Sequence, residues 1–328
     1  MPLVSLANNK QFQCATDTNL LDAAKAAGLV LEHSCRTGRC SACKTLQLSG
    51  ESRVLQAEES LSDEERKAGY ILTCCRSAIT EIELDTEDMG LLADIKVQTM
   101  PCKIDSINSL APDVMQIVLR LPPKNAFNYL PGQYINVIAP NGTRRSYSIA
   151  NAKNESGKIE LHIRQVTAGV MSNFWFNSAK TNDLLRFEGP HGSFCFHEKP
   201  GKNIIFLATG TGIAPIKSML EALSADPISL QQKNLFLYWG GRTFSDIYWQ
   251  PEFPALPLEF RPTLSRTDNQ WGGRHGYVQN AVVTDELDLG NSIVYACGSN
   301  QMIQSAKKLL INKGLNPKHF FADAFVSS

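Results

Sequence analysis

Cys35-Arg36-Thr37-Gly38-Arg39-Cys40-Ser41-Ala42-Cys43 decides how this chain is read. The spacing is C-x4-C-x2-C, and Cys74 and Cys75 follow at a distance. Plant-type [2Fe–2S] sites have this spacing, with three thiolates from one tight loop and the fourth from a remote segment. Gly38 lets the loop backbone approach the cluster, so that loop amides point at the sulfurs and tune the potential. A zinc site would usually add a second C-x2-C pair, and the sequence has none. The expected metal ligands are Cys35, Cys40 and Cys43, with Cys74 or Cys75.

The chain has 328 residues, too many for one ordinary core and suited to about two or three domains. Lys and Arg total 32, as do Asp and Glu. With no basic excess to neutralise phosphates, nucleic-acid binding is not expected. Met1–Lys10 lacks a charged-then-apolar leader pattern, and apolar stretches such as Ile204–Ala208 fall far short of a bilayer span. The expected location is cytoplasmic, with no membrane span. Nine cysteines, unevenly spread, then indicate metal or redox chemistry in preference to disulfides.

Three textures follow one another. The first, to about residue 90, reads as a small α+β unit. Val4–Leu6 and Gln11–Gln13 flank an Asn8-Asn9 turn. Leu20–Ala27 is helical, with Thr18 or Asn19 as cap and Gly28 past its end. Lys44–Leu48 and Ile79–Leu84 are strands, and Ser62-x-x-Glu65 is a capping box. Asp85–Met100 reads as a linker. The second texture is strand-rich, with Asp113–Leu121, Gln133–Ala139, Ser146–Ala150 and Lys158–Val166 punctuated by Pro and Gly, which suggests a barrel. From residue 201 strands and helices alternate, which implies a doubly wound parallel sheet.

Arg145-Ser146-Tyr147-Ser148 lies inside a barrel strand. A flavin needs an aromatic lid, a donor near its reactive N5 and a cation for its phosphates; Tyr147, Ser148 and Arg145 supply them. Alternation puts 145 and 147 on one face. Alone, the pattern also fits ordinary surface residues. Farther on, Ile163-Arg164 precedes Gly169-Val170-Met171-Ser172, which opens a helix whose free amides suit a pyrophosphate. Gly189–Phe194 reads as a tight turn where the barrel ends.

In the last texture the apolar strand Asn203–Ala208 runs into Thr209-Gly210-Thr211-Gly212-Ile213-Ala214-Pro215 and a helix. Strand, glycine turn and helix form a phosphate cradle. Ala214-Pro215 replaces the third glycine of the dehydrogenase fingerprint. Cys297-Gly298 ends another strand, where ligands bind in such sheets; Cys297 is either a site residue or a buried thiol. Phe325 either covers a cofactor ring or packs in the core.

These signals, in this order, resemble the ferredoxin–NADP reductase superfamily with an N-terminal ferredoxin fused to it. The resemblance covers essentially the whole chain. It implies an α+β ferredoxin (β-grasp) domain over residues 1–93, a six-stranded antiparallel FAD-binding β-barrel over 94–198 and an α/β NAD(P)-binding domain over 199–328. It favours Cys74 as the fourth ligand, because Ile71-Leu72-Thr73-Cys74 matches the ferredoxin pattern. It places Tyr147 on the isoalloxazine, Ser148 near N5 and Cys297 near the nicotinamide. Val170 stands where relatives often carry Lys. Ser265-Arg266 resembles a pair that holds the NADP 2′-phosphate in some relatives, and Arg242 adds to that ambiguity; similarity favours NADH without excluding NADPH.

The residues expected at the cofactors are thus Arg145, Tyr147, Ser148, Ile163, Gly169, Met171, Ser172, Gly210, Thr211, Gly212, Pro215, Arg242, Ser265, Arg266, Cys297 and Gly298, with Ser148, Cys297 and Phe325 nearest the chemistry. A nicotinamide gives two electrons at once and an iron–sulfur cluster accepts one, so a flavin must bridge them. Ser146–Asn151, Tyr295–Ser299 and Phe320–Val326 most resemble reductases that serve an iron–sulfur dehydratase in 3,6-dideoxyhexose synthesis. Reductase components of aromatic oxygenases share the layout, so the acceptor protein is a dehydratase or an oxygenase component. A redox carrier or sensor without catalysis is the alternative of another class. Arg36 and Arg39 either meet an acidic partner or are ordinary solvated charge.

Overall fold

A computed structural model describes the chain except residues 124–126, 198, 231, 268–270 and 326–328. It divides into two compact units, one built on Met1–Lys96 and one on Val97–His191 with Cys195–Phe325.

The first unit is a β-grasp. Its mixed sheet runs Gln11–Gln13, Leu3–Leu6, Ile82–Leu84, Lys44–Ser49, Tyr70–Leu72, with Leu3–Leu6 parallel to Ile82–Leu84 and the other pairs antiparallel. Asn19 caps the helix Leu20–Ala26 by accepting the Asp22 amide at 2.8 Å. That helix buries Leu20, Leu21, Ala23 and Ala24 into a core with Val4, Phe12, Ile71 and Leu84. Ser62 and Glu65 form the reciprocal capping box. The strand expected over Ile79–Leu84 is divided: Arg76–Ala78 pairs with Ser52–Val54, Ile79 is exposed at the turn, and Ile82–Leu84 joins the main sheet.

The second unit opens with the barrel. Its strand order is Arg144–Ser148, Tyr134–Ile138, Leu184–His191, Gln98–Ala111, Val114–Arg120, Lys158–Arg164, all antiparallel. An Ile149–Leu161 bridge closes the ring. Two strands depart from the sequence expectation. Gln98–Ala111 begins inside the supposed linker, with Met100, Cys102 and Ile104 turned into the core. Leu184–His191 runs through Gly189-Pro190, so the expected tight turn is strand as far as His191.

Beyond the barrel lies a parallel sheet in the order Arg274–His275, Leu258–Leu264, Asn234–Gly241, Asn203–Thr209, Ser292–Ser299, Phe320–Phe325. Chain order reverses between Asn203–Thr209 and Ser292–Ser299, the switch point where such sheets bind ligands. The helix expected from Pro215 starts earlier, at Ile213, after a 3-10 turn over Gly210–Gly212. Pro215 sits in its first turn, where a missing N–H removes no helix bond. Among the described residues no helix is long and apolar enough to cross a membrane.

Phe187 is fully buried at the barrel centre, edge-on to Phe127 with ring centroids 5.0 Å apart. Phe187→Ala is expected to cost about 3–5 kcal/mol, whereas Leu184→Ala on the exposed side of the same strand should stay within about 0.5 kcal/mol. Urea melts of the two variants check this.

Candidate functional site

The cysteine loop is wound tightly. Arg36, Gly38 and Ser41 all take positive φ, at 60°, 77° and 60°. A Cβ on Gly38 would fall 2.2 Å from the Ala57 carbonyl oxygen and 3.0 Å from Cys75 Sγ, so only glycine fits. The winding points amides at sulfur: Cys35 N–H donates to Cys40 Sγ and Thr37 N–H to Cys35 Sγ, each at 3.4 Å. The four candidate ligands fall into two pairs. The Cys35 amide reaches the Sγ of Cys40, and Cys43 Sγ lies 3.3 Å from Cys74 Sγ. Four sulfurs grouped in twos fit a cluster of two irons. Cys75 is fully buried with its Sγ 3.5 Å from that of Cys74. The Gln56 amide ties the two halves together, donating to Arg36 O at 3.1 Å and to Cys74 O at 3.0 Å. Arg36 pairs with Asp22, and Arg39 with Glu59 at 3.2 Å. Both are exposed pairs of small energetic weight.

In the barrel, Arg145 stands opposite Val137 and Tyr147 opposite Ile135. Arg145 is exposed and, among the described residues, has no carboxylate partner. The Tyr147 hydroxyl accepts the Trp175 indole N–H at 3.0 Å, and the rings meet edge to face. Burial pushes the Tyr147 phenol up to about 12, against the Trp175 hydrogen bond and the Arg145 charge. The ring therefore offers a neutral face. Ser148 is buried beside it. Gly169 caps a short helix over Val170–Asn173, which continues as a π turn through Ser178. Met171 is in the barrel core, and the Ser172 hydroxyl accepts the Val166 amide at 2.7 Å. Ile163 also buries its side chain in the core, leaving only its backbone to meet a ligand.

The glycine loop and the Cys297-Gly298 segment interlock at the switch point. A Cβ on Gly212 would lie 2.2 Å from the Cys297 carbonyl oxygen, and one on Gly298 2.1 Å from Thr209 Oγ1. Trp239 donates to the Gly210 carbonyl at 3.0 Å, and the Arg164 guanidinium lies against Gly210 while pairing with Asp246 at 2.9 Å. Cys297 itself is wholly buried; burial and the neighbouring Asp323 push its thiol up, so it stays protonated. Thr211 lies in the 3-10 turn. At the ends of the next two strands, Ser265 N–H bonds Gly241 O at 3.0 Å and Arg266 N–H bonds Arg242 O at 2.7 Å. Arg242, Ser265 and Arg266 are thereby gathered on one exposed rim. Phe325 is 40% exposed in the edge strand, in register with Ser299.

Sequence reasoning missed Trp175, Gln56 and Lys217. A lone Trp or Gln carries no pattern. Lys217 is buried within a helix whose sequence reads simply as amphipathic. Its ammonium contacts Ala150 O at 3.1 Å, Glu160 at 3.3 Å and Glu221 at 2.6 Å. Burial works to raise the Glu160 carboxyl, but the His162 hydrogen bond and the Lys217 charge win and hold it at about 2.

Family models agree with these sites. Residues 5–79 match the 2Fe-2S iron-sulfur cluster binding domain, 101–196 the oxidoreductase FAD-binding domain and 206–308 the oxidoreductase NAD-binding domain. The chain belongs to the ferredoxin–NADP reductase superfamily, in the branch with an N-terminal [2Fe–2S] domain. It is an oxidoreductase that moves electrons between nicotinamide, FAD and iron–sulfur sites, which removes the non-catalytic alternative. Over 318 residues it is 45% identical to the CDP-6-deoxy-L-threo-D-glycero-4-hexulose-3-dehydrase reductase of Yersinia pestis, covering 95% of this chain and 94% of the relative. It is 32% identical to reductase component 1 of terephthalate 1,2-dioxygenase from a Comamonas species, covering 97% and 95% of the two chains. The crystal structure of the Amycolatopsis cytochrome P450 reductase GcoB superposes with a TM-score of 0.73 at 26% identity, covering 100% of this chain and 99% of that one.

Two outcomes test this geometry. Gly38→Ala should lose the cluster's visible absorbance after reconstitution while keeping its flavin, as read from absorbance spectra and iron content. Trp175→Phe removes one hydrogen bond to Tyr147, worth about 1 kcal/mol, and should weaken FAD binding roughly fivefold by fluorescence titration.

Proposed function

We propose that this chain is a CDP-6-deoxy-3,4-glucoseen reductase: it takes electron pairs from NADH and passes single electrons to an iron–sulfur dehydratase acting on a CDP-hexulose. When bound, the three groups supply a two-electron donor, a two-to-one converter and a one-electron carrier. Cys35, Cys40, Cys43 and Cys74 hold the cluster, and the Cys35 and Thr37 amides stabilise charge on its thiolates. Tyr147 covers the flavin ring, Ser148 donates near its reactive nitrogen, and Arg145 with the Gly169 turn receives its phosphates. Gly210–Gly212 admits the nicotinamide cofactor's phosphates to close backbone contact. Arg242, Ser265 and Arg266 meet its adenosine end. Cys297 and Gly298 shape the nicotinamide pocket, with burial keeping the Cys297 thiol protonated. Phe325 shields the ring from water. The chain works in the cytoplasm, where cysteines outside the cluster stay reduced.

What supports the dehydratase as acceptor is the 45% identity to the Yersinia reductase along nearly the full length of both proteins. Identity to the dioxygenase reductase is 32% over a similar span, which keeps an oxygenase component as the second reading. The test is an anaerobic titration. NADH should bleach both flavin and cluster absorbance, and NADPH should need a higher concentration to do so. Cys74→Ser should still bleach its flavin but show no cluster signal and no transfer to added dehydratase, while Cys75→Ser behaves like the parent. A parent chain that reduces a purified oxygenase component but not the dehydratase overturns the first reading.

A further inference from the structure

We propose that Lys217 is a positioning residue that fixes the flavin-bearing strand against the nicotinamide-bearing helix and so sets the distance for hydride transfer. The inference rests on the reductase reading above and concerns how its two halves are held in register.

The geometry is specific. Strand Arg144–Ser148 continues into Ile149, Ala150, Asn151 and Ala152. Three of these residues bond side chains of one helix, Ile213–Ala225. Ala150 O accepts from Lys217 at 3.1 Å, Asn151 O accepts from the Ser218 hydroxyl at 2.7 Å, and the Ala152 amide donates to Glu221 at 2.8 Å. That helix starts at the glycine loop. The segment that follows the flavin motif is therefore clasped to the helix that follows the phosphate cradle.

A second path closes the circuit. Lys217 contacts Glu160, Glu160 accepts from His162 Nε2 at 2.7 Å, and His162 Nδ1 lies 3.2 Å from the Tyr248 hydroxyl. Tyr248 packs edge-on against Trp239 at 4.9 Å between ring centroids, and Trp239 donates to Gly210 O. Lys217 thus meets the flavin side and the glycine loop by two routes. A lysine only 9% exposed is costly to bury unless its charge is matched. Here Glu160 and Glu221 match it, and the remaining bond goes to Ala150 O, just past the end of the flavin strand.

Bound nicotinamide and flavin would supply a hydride transfer, two electrons with one proton, and misplacement of such partners costs rate steeply, up to roughly a hundredfold for about 1 Å. Lys217→Met keeps the length of the side chain and removes its charge. At saturating NADH, the limiting rate of flavin reduction per bound flavin should fall about tenfold or more. The NADH concentration at half-saturation should barely move. The long-wavelength absorbance from nicotinamide stacked on flavin should weaken, and hydrogen exchange at Ala152 should quicken. Lys217→Arg should recover most of the rate. Should Lys217→Met lose its flavin, Ser218→Ala, which removes only the bond to Asn151, should slow the same limiting step several-fold. A lower melting temperature with an unchanged limiting rate per bound flavin overturns the proposal and leaves Lys217 structural. A parent chain whose flavin NADH does not reduce overturns the reductase reading as well.

Discussion

Two peptides that leave no room for a side chain hold the ligand-binding end of the parallel sheet together. Gly212 lies against the carbonyl of Cys297, and Gly298 lies against the hydroxyl of Thr209. Each strand end therefore supplies the glycine that the other needs. The interlock explains why the cradle is built from Gly-Thr-Gly and why a cysteine-glycine pair ends the neighbouring strand. It also places the chain reversal of the sheet, and hence its ligand crevice, between those two loops.

The barrel depends on this arrangement through polar contacts. Arg164, at the end of strand Lys158–Arg164, sits against Gly210 and pairs with Asp246. Asp246 also accepts the Arg242 and Thr243 amides at 2.8 and 3.0 Å. One carboxylate thus orders the turn that carries Arg242 and anchors it to the flavin-bearing barrel. Lys217 and Glu160 do the same one helix turn deeper. In the first unit, Gln56 plays the comparable part by joining the cysteine loop to the remote cysteine.

Local patterns were readable where chemistry demands a fixed spacing. C-x4-C-x2-C, the Asn19 and Ser62 caps, and the strand–glycine–helix unit each need particular residues at particular offsets, and the structure has them there. Strand Gln98–Ala111 was hidden because Pro101 stands inside the alternation of Met100, Cys102 and Ile104, where a proline argues against a strand, and the preceding acidic run reads as linker. Leu184–His191 was hidden because Gly-Pro is ordinarily a turn signal. At the site, Cys297 was legible as a position, with site residue and buried thiol both open; its burial comes from strands on both sides, which no local pattern states. Contacts such as Trp175 to Tyr147 and Lys217 to Glu160 join residues 28 and 57 positions apart. Nothing in either local segment announces the other.

The pairing of Arg36 with Asp22 and of Arg39 with Glu59 bears on how a partner is met. Both cations beside the cysteine loop are neutralised by their own unit. Free charges in solution act over about 10 Å at 0.1 M salt, whereas each of these cations has its counter-charge in direct contact. Leu55, 40% exposed, is tied to the same region through its amide, which donates to Cys75 O. Each guanidinium must leave its own carboxylate, or share it, before it can turn to another anion, and exposed pairs of this kind cost little to open.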